Sequence, residues 1–234
     1  MRNMDPNFLT QPLRTGLNLP QTWDTAGLEL VGFQGFVPFL GVSRSVIPIE
    51  TGVYAVLRPV ELEPTFLPAN LGKTLKPYAF WDLQQRWLSG VEVIYIGKAG
   101  GKGGLRGRLG PFSRMAKNHS GGRSIWQLDN PEVLIVAWMP TSHEFSAEEV
   151  EDRLLTAFYV WHGRLPFANI SMSRQSRAVV DALSDNQVVF DRWATFERQE
   201  CLRMEQLHGD RDERMRSWLP RRFSSEENPH RPES

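Results

Sequence analysis

The densest chemistry in the chain lies between residues 98 and 123. Seven basic side chains fall there, Lys98, Lys102, Arg106, Arg108, Arg114, Lys117 and Arg123, with no acidic residue among them. No other long stretch is so biased. Lysines and arginines spaced this way neutralise successive phosphates, and such contacts supply most sequence-independent nucleic-acid affinity. A solvated loop is the plainer reading of the same charges. The run opens on Gly97-Lys98-Ala99-Gly100-Gly101-Lys102-Gly103-Gly104, which suggests a nucleotide-binding phosphate loop. The spacing speaks against it. Lys102 is followed by Gly103 where Ser or Thr is needed, and no glycine precedes it at the required step.

Composition narrows the remaining chemistry. Among 234 residues the basic and acidic side chains number 27 each, so global charge gives no sign of a polyanionic partner. Of the basic residues 22 are Arg. The planar guanidinium fork matches phosphate bidentately, although GC-rich codon usage enriches Arg equally well. Cys201 is the only cysteine, which excludes an intramolecular disulfide and a Cys-based zinc site and suits a reducing, cytoplasmic setting. With five His and no Cys cluster, any metal must be held by carboxylate and water, which suits Mg²⁺ or Mn²⁺. No apolar run approaches the roughly 18 residues that span a bilayer. Met1-Arg2-Asn3-Met4-Asp5 is not followed by the apolar segment of a signal peptide, so no membrane partner is expected.

These residues need elements to position them. Residues 1–25, with Pro6, Pro12 and Pro20, read as a flexible arm. From Leu28 to Phe39 the chain is apolar but broken by Gly32, Gly35 and Pro38, which predicts extended chain and no helix. Three runs rich in β-branched and aromatic residues predict strands at 52–57, 91–96 and 133–138. The insert at 58–90 carries four prolines and has room for one short helix within 78–88. The clearest helix is expected over 146–162. Ser146 and Glu149 form a capping-box pattern, Val150, Leu154, Ala157, Phe158 and Trp161 recur at helical spacing, and Gly163 ends it. A second helix is expected at 186–207. The pattern is a small mixed sheet with helices packed on it, hence α/β or α+β. The principal domain is placed at 26–175, a helical extension at 176–208 and a disordered tail at 209–234.

The chain order of Gly52-Val53-Tyr54, Tyr95-Ile96-Gly97, Arg108, Glu151 and Asn169 resembles the GIY-YIG nuclease superfamily over roughly residues 48–171. The long insert and the continuation Gly97-Lys98-Ala99 are similar to its larger, restriction-enzyme-like branch. The resemblance implies a small central, mostly antiparallel β-sheet flanked by helices. It implies a metal-dependent endonuclease that cuts nucleic acid, DNA foremost, and leaves 5′-phosphate and 3′-hydroxyl ends. It assigns Glu151 to Mg²⁺ or Mn²⁺, Tyr54 to activation of water with support from Tyr95, Arg108 to the scissile phosphate, and Asn169 to orienting the catalytic loop. A tyrosine must drop from its usual pKa of about 10 to act as a base near neutrality, and a nearby cation could do that. The plainer readings are two core tyrosines, an exposed helix Glu and a turn Asn. Because the stretch from Glu151 to Asn169 is longer than in compact members, Glu148 and Glu149 remain alternative matches for the ligand.

One departure matters. Members of the family carry His or Tyr four residues after the arginine, and this chain has Phe112, which has no proton to exchange. Gly110-Pro111 should also kink or end the helix there. His119 is the alternative source of the missing group. Three readings follow: an active endonuclease, a binding module whose catalysis is lost at Phe112, and an unrelated α/β interaction protein. A homodimer is compatible with each. No zinc finger, helix-turn-helix or basic zipper is legible, so the target sequence is not readable.

Overall fold

The computed structural model describes residues 19–69, 71, 76–116, 122–141 and 145–184. The elements in chain order are α1 (Thr25–Leu30), β1 (Gln34–Pro38), β2 (Gly52–Leu57), α2 (Phe80–Arg86), β3 (Val93–Ala99), α3 (Gly104–Ser113), β4 (Ile135–Pro140), α4 (Ala147–His162) and α5 (Arg174–Ser184). Short 3₁₀ turns occupy Phe39–Arg44, Arg123–Gln127 and Pro131–Val133. The four strands form one sheet in the order β1-β4-β2-β3, with every neighbouring pair antiparallel. The fold is α+β.

All six residues of β2 are buried. An apolar run without alternation needs cover on both faces, and it has it. Val53, Ala55 and Leu57 join Val150, Leu154 and Phe158 in one core. Tyr54 and Val56 join Leu105, Leu109, Phe112 and Trp126 in the other. Helix α4 therefore covers one face and α3 the other. Helix α4 starts as the sequence predicts: Glu149 N–H donates to Ser146 Oγ at 3.2 Å, and Ser146 N–H donates to Glu149 Oε2 at 2.9 Å. Gly163 caps its other end in the left-handed region.

Several boundaries differ from the sequence reading. Asp24 accepts a hydrogen bond from Gly27 N–H at 2.8 Å and starts α1, so residues 28–39 hold helical chain before the strand. Trp23 packs edge-on against Phe158 with ring centroids 4.9 Å apart, which brings the packed body inside the expected arm. Strand β3 extends past Ile96 through Gly97-Lys98-Ala99, so the glycine-rich run begins inside the sheet. Pro131 opens a 3₁₀ turn through Val133, which delays β4 to Ile135. Helix α3 passes through Pro111 and stops at Ser113. Proline there removes one bond, to the carbonyl of Gly107, which is too little to halt a helix packed by Leu105, Leu109 and Phe112. The helix expected at 186–207 and the tail lie outside the described residues. Among the described residues, no helix is long and apolar enough to cross a membrane.

The insert between β2 and β3 is anchored at both ends. Arg58, at the end of β2, donates to the carbonyls of Leu62 and Glu63. Buried Gln127 accepts from Tyr78 N–H at 2.7 Å and donates to the carbonyls of Tyr78 and Leu67 at 3.1 and 3.2 Å.

Loss of the α4 cap gives a direct test of this architecture. Ser146→Ala should lower unfolding free energy by about 1 kcal/mol in urea titration, the usual cost of removing a serine cap. No change would mean that α4 is held by packing alone.

Candidate active site

The two motif tyrosines stand on adjacent strands and on the same face. Tyr54 is paired with Gly97 across β2 and β3, one step from Tyr95, and the two rings lie 5.8 Å apart. Glycine is required at 97. A Cβ there would sit 2.7 Å from Tyr54 Cζ, 2.8 Å from Tyr54 Oη and 2.9 Å from Tyr95 Cε1. The motif glycine is therefore the space into which both phenols lean. Gly122, at positive φ, approaches from the other side, where a Cβ would meet Tyr95 and Phe112 at 3.1 Å.

Phe112 closes the cluster. It is fully buried, with its ring 5.7 Å from each tyrosine ring. It lies one helical turn beyond Arg108 on α3 and faces the phenols, where the resemblance expects His or Tyr. Arg108 is half-buried and acts electrostatically on both tyrosines.

The protonation of this cluster runs against the expectation of an activated tyrosine. Burial pushes the Tyr54 phenol above its usual value, and Arg108 and then Tyr95 pull back without reversing it. Tyr54 Oη lies within the electrostatic reach of both groups yet meets no partner at bonding geometry. Burial raises Tyr95 further, and the neighbouring Tyr54 adds to the effect. A cation does stand beside the pair, as the sequence led us to expect, but desolvation outweighs it.

Glu151 projects from α4 into a cleft of about 350 Å³ that Tyr95, Lys98, Gly122 and Asn169 also line. Its side chain is 16% exposed, so it is not the solvated helix Glu of the plainer reading. Burial raises its pKa and Lys98, at 3.1 Å, opposes the rise. Lys98 also bonds Glu148 at 2.8 Å, which holds that exposed carboxylate below its usual range. Of the alternative ligands, Glu149 is committed to the α4 cap, while Glu148 stands at the cleft with Glu151.

Asn169 does not occupy a simple turn. Its Nδ2 donates to Ile96 O at 2.8 Å and its Oδ1 accepts from Ile96 N–H at 2.9 Å. These two hydrogen bonds hold Ile96, the residue between Tyr95 and Gly97.

The basic run divides. Lys98 is engaged by two carboxylates and so is not free for phosphate. Lys102 and Arg114 are exposed. Arg106 is exposed but donates through Nε to Ile47 O at 2.9 Å. Arg123 lies over the Tyr78 ring at 4.3 Å. Lys117 and His119 lie outside the described residues. His162, the one histidine among the described residues, stacks on Phe158 with centroids 4.4 Å apart, and burial holds its pKa down to about 4. It belongs to the core on the opposite face. The sequence reading missed Tyr78, Gly122 and Asp152, which also line the cleft. No motif marked them: Tyr78 comes from the insert, Gly122 from the loop before the 3₁₀ turn at Arg123–Gln127, and Asp152 from α4 beside Glu151.

Comparison of the chain with protein-family models, curated proteins and solved structures returns no match.

Two outcomes are expected from this geometry. Gly97→Ala should destabilise the protein by about 1–3 kcal/mol, the usual cost of overpacking, read as a lowered urea midpoint. Unchanged stability would mean that the phenols do not rest on Gly97. Absorbance titration should show two of the four tyrosines ionising above the ordinary value of 10.0. Because the phenols ionise more readily in the unfolded chain, their stabilisation is complete below about pH 10 and is lost as pH rises through the folded values. Four tyrosines titrating together at the ordinary value would contradict the burial.

Proposed function

We propose that the chain is a metal-dependent endonuclease that hydrolyses phosphodiester bonds in nucleic acid, DNA foremost, in the manner of GIY-YIG enzymes. One observation carries this reading. Tyr54, Tyr95, Arg108, Glu151 and Asn169 come from two strands, two helices and a loop, and they gather at one region of the sheet beside a single cleft. Short motifs matched by chance have no reason to converge.

The donor set suits a hard divalent cation. Glu151 offers a partly buried carboxylate in the cleft, with Glu148 and Asp152 beside it. Among the described residues, no group of three His, Cys, Asp or Glu side chains is placed to hold a metal ion. One or two carboxylates, completed by water and substrate phosphate, is a usual arrangement for Mg²⁺. Glu151, with Glu148 beside it, would hold such an ion, which would supply Lewis-acid stabilisation of charge on the phosphate.

The chain's own groups do the remaining work. Arg108 offers its fixed positive charge to the non-bridging phosphate oxygens. Tyr54 keeps its proton on Oη at neutral pH, so it has a hydrogen bond to donate to the substrate. Asn169 fixes the Ile96 peptide and thereby the spacing of Tyr95 and Gly97.

A second reading has its own observation. Phe112 packs on both phenols where a proton-exchanging side chain is expected, which favours a nucleic-acid-binding module with weakened catalysis.

Plasmid nicking with and without Mg²⁺ decides between the two. We expect divalent-dependent nicking that Glu151→Gln reduces by roughly a hundredfold or more, since metal-ion charge stabilisation is worth several kcal/mol. Binding of the same DNA in EDTA should be nearly unchanged in that variant. Binding without nicking by the wild type would select the second reading. Full activity in Glu151→Gln would transfer the ligand role to Glu148.

A further inference from the structure

Beside the cleft, one aromatic ring is shared by two cations. Arg86 lies over Tyr78 at 4.4 Å and Arg123 at 4.3 Å. The two come from distant parts of the chain, the insert helix α2 and the turn before β4. Like charges held this close repel, and burial together with the Arg123 charge holds Arg86 below its usual pKa.

The arrangement is rigid. Gln127, itself fully buried, grips the Tyr78 peptide from both sides. Arg86 Nε donates to Asp82 O at 3.1 Å, and Nη1 donates to Ser124 Oγ at 3.1 Å and Phe167 O at 3.4 Å. Its Nη2 is buried with no hydrogen-bond partner, and among the described residues Arg86 meets no carboxylate at ion-pair distance. A charge tethered this firmly, pressed against a second guanidinium and with no carboxylate among the described residues at ion-pair distance from Arg86, has the form of an anion site. The guanidinium fork suits phosphate oxygens, and stacking on the ring keeps both forks oriented. Tyr78 lines the same cleft as Tyr95, Lys98 and Glu151. Through Tyr78, the stacked Arg86 and Arg123 stand against one wall of that cleft.

We propose that Tyr78, Arg86 and Arg123 form a second phosphate subsite, which holds a backbone phosphate of the nucleic-acid strand next to the one that is cut. This rests on the nuclease reading, and it makes the insert part of the substrate surface.

The test is anisotropy of a labelled DNA duplex in EDTA across a salt series, with wild type, Arg86→Gln, Arg86→Lys and Arg123→Gln. Melting temperature is measured for each protein. Each Gln variant should weaken binding by roughly tenfold at 0.1 M salt and reduce the log–log salt slope by about 0.9, the value for one lost phosphate contact. Arg86→Lys should recover the slope and only part of the affinity, because it keeps the charge and loses the fork. Arg123→Gln leaves the hydrogen bonds of Arg86 in place and decides the matter if Arg86→Gln melts early. Wild-type binding with an unchanged slope in a folded Gln variant would overturn the subsite and leave the nuclease reading standing. Failure of the wild type to bind DNA at all would overturn both.

Discussion

Strand β2 has no side turned to water, and the rest of the molecule is arranged around that constraint. Both sheet faces must be covered where it runs, so α3 closes on one and α4 on the other. The constraint also fixes what Tyr54 experiences. A hydroxyl carried on a strand buried on both faces enters the core whether or not a partner awaits it. Tyr54 Oη has only the Arg108 guanidinium and the Tyr95 phenol within reach, and neither makes up for its desolvation.

Charge is organised around this buried pair in two opposed halves. Arg108 on the α3 side favours ionised phenols, while Glu151 on the α4 side disfavours them. Neither outweighs desolvation. Glu151 is itself partly buried and is balanced by Lys98, which spans it and Glu148. The site is thus held at low net charge by neutral phenols and a local ion pair.

The sequence made the centre of the fold legible and the periphery much less so. Residues 52–57 could be read to the residue because an unbroken β-branched and aromatic run bounded by glycine has few alternatives. Helix α4 was equally plain, since its cap, its periodicity and Gly163 agree. The start of α1 was hidden because its signal is one Asp cap before a glycine-broken apolar segment, and glycine there reads as extended chain. Pro111 marked the end of α3 to within two residues, since three buried side chains hold the helix down as far as Ser113. Within the site, Tyr54, Tyr95 and Asn169 could be read from order alone, but the state of the phenols could not. Their burial depends on Phe112, Gly97 and Gly122 meeting from three elements. The double stacking on Tyr78 was likewise invisible, because it depends on Gln127 seating an insert that has no motif of its own.

Asn169 does more than hold the Ile96 peptide in place. Strand β3 is the last in the sheet, and its outward groups would ordinarily be open to another strand. At Ile96 both are taken by the Asn169 carboxamide, and at Ile94 the carbonyl accepts from Ala168 N–H at 2.8 Å. One side chain and one peptide thus imitate a fifth strand just long enough to finish the edge. At Ile96 and at the Ile94 carbonyl the edge therefore has no open backbone group to offer another strand.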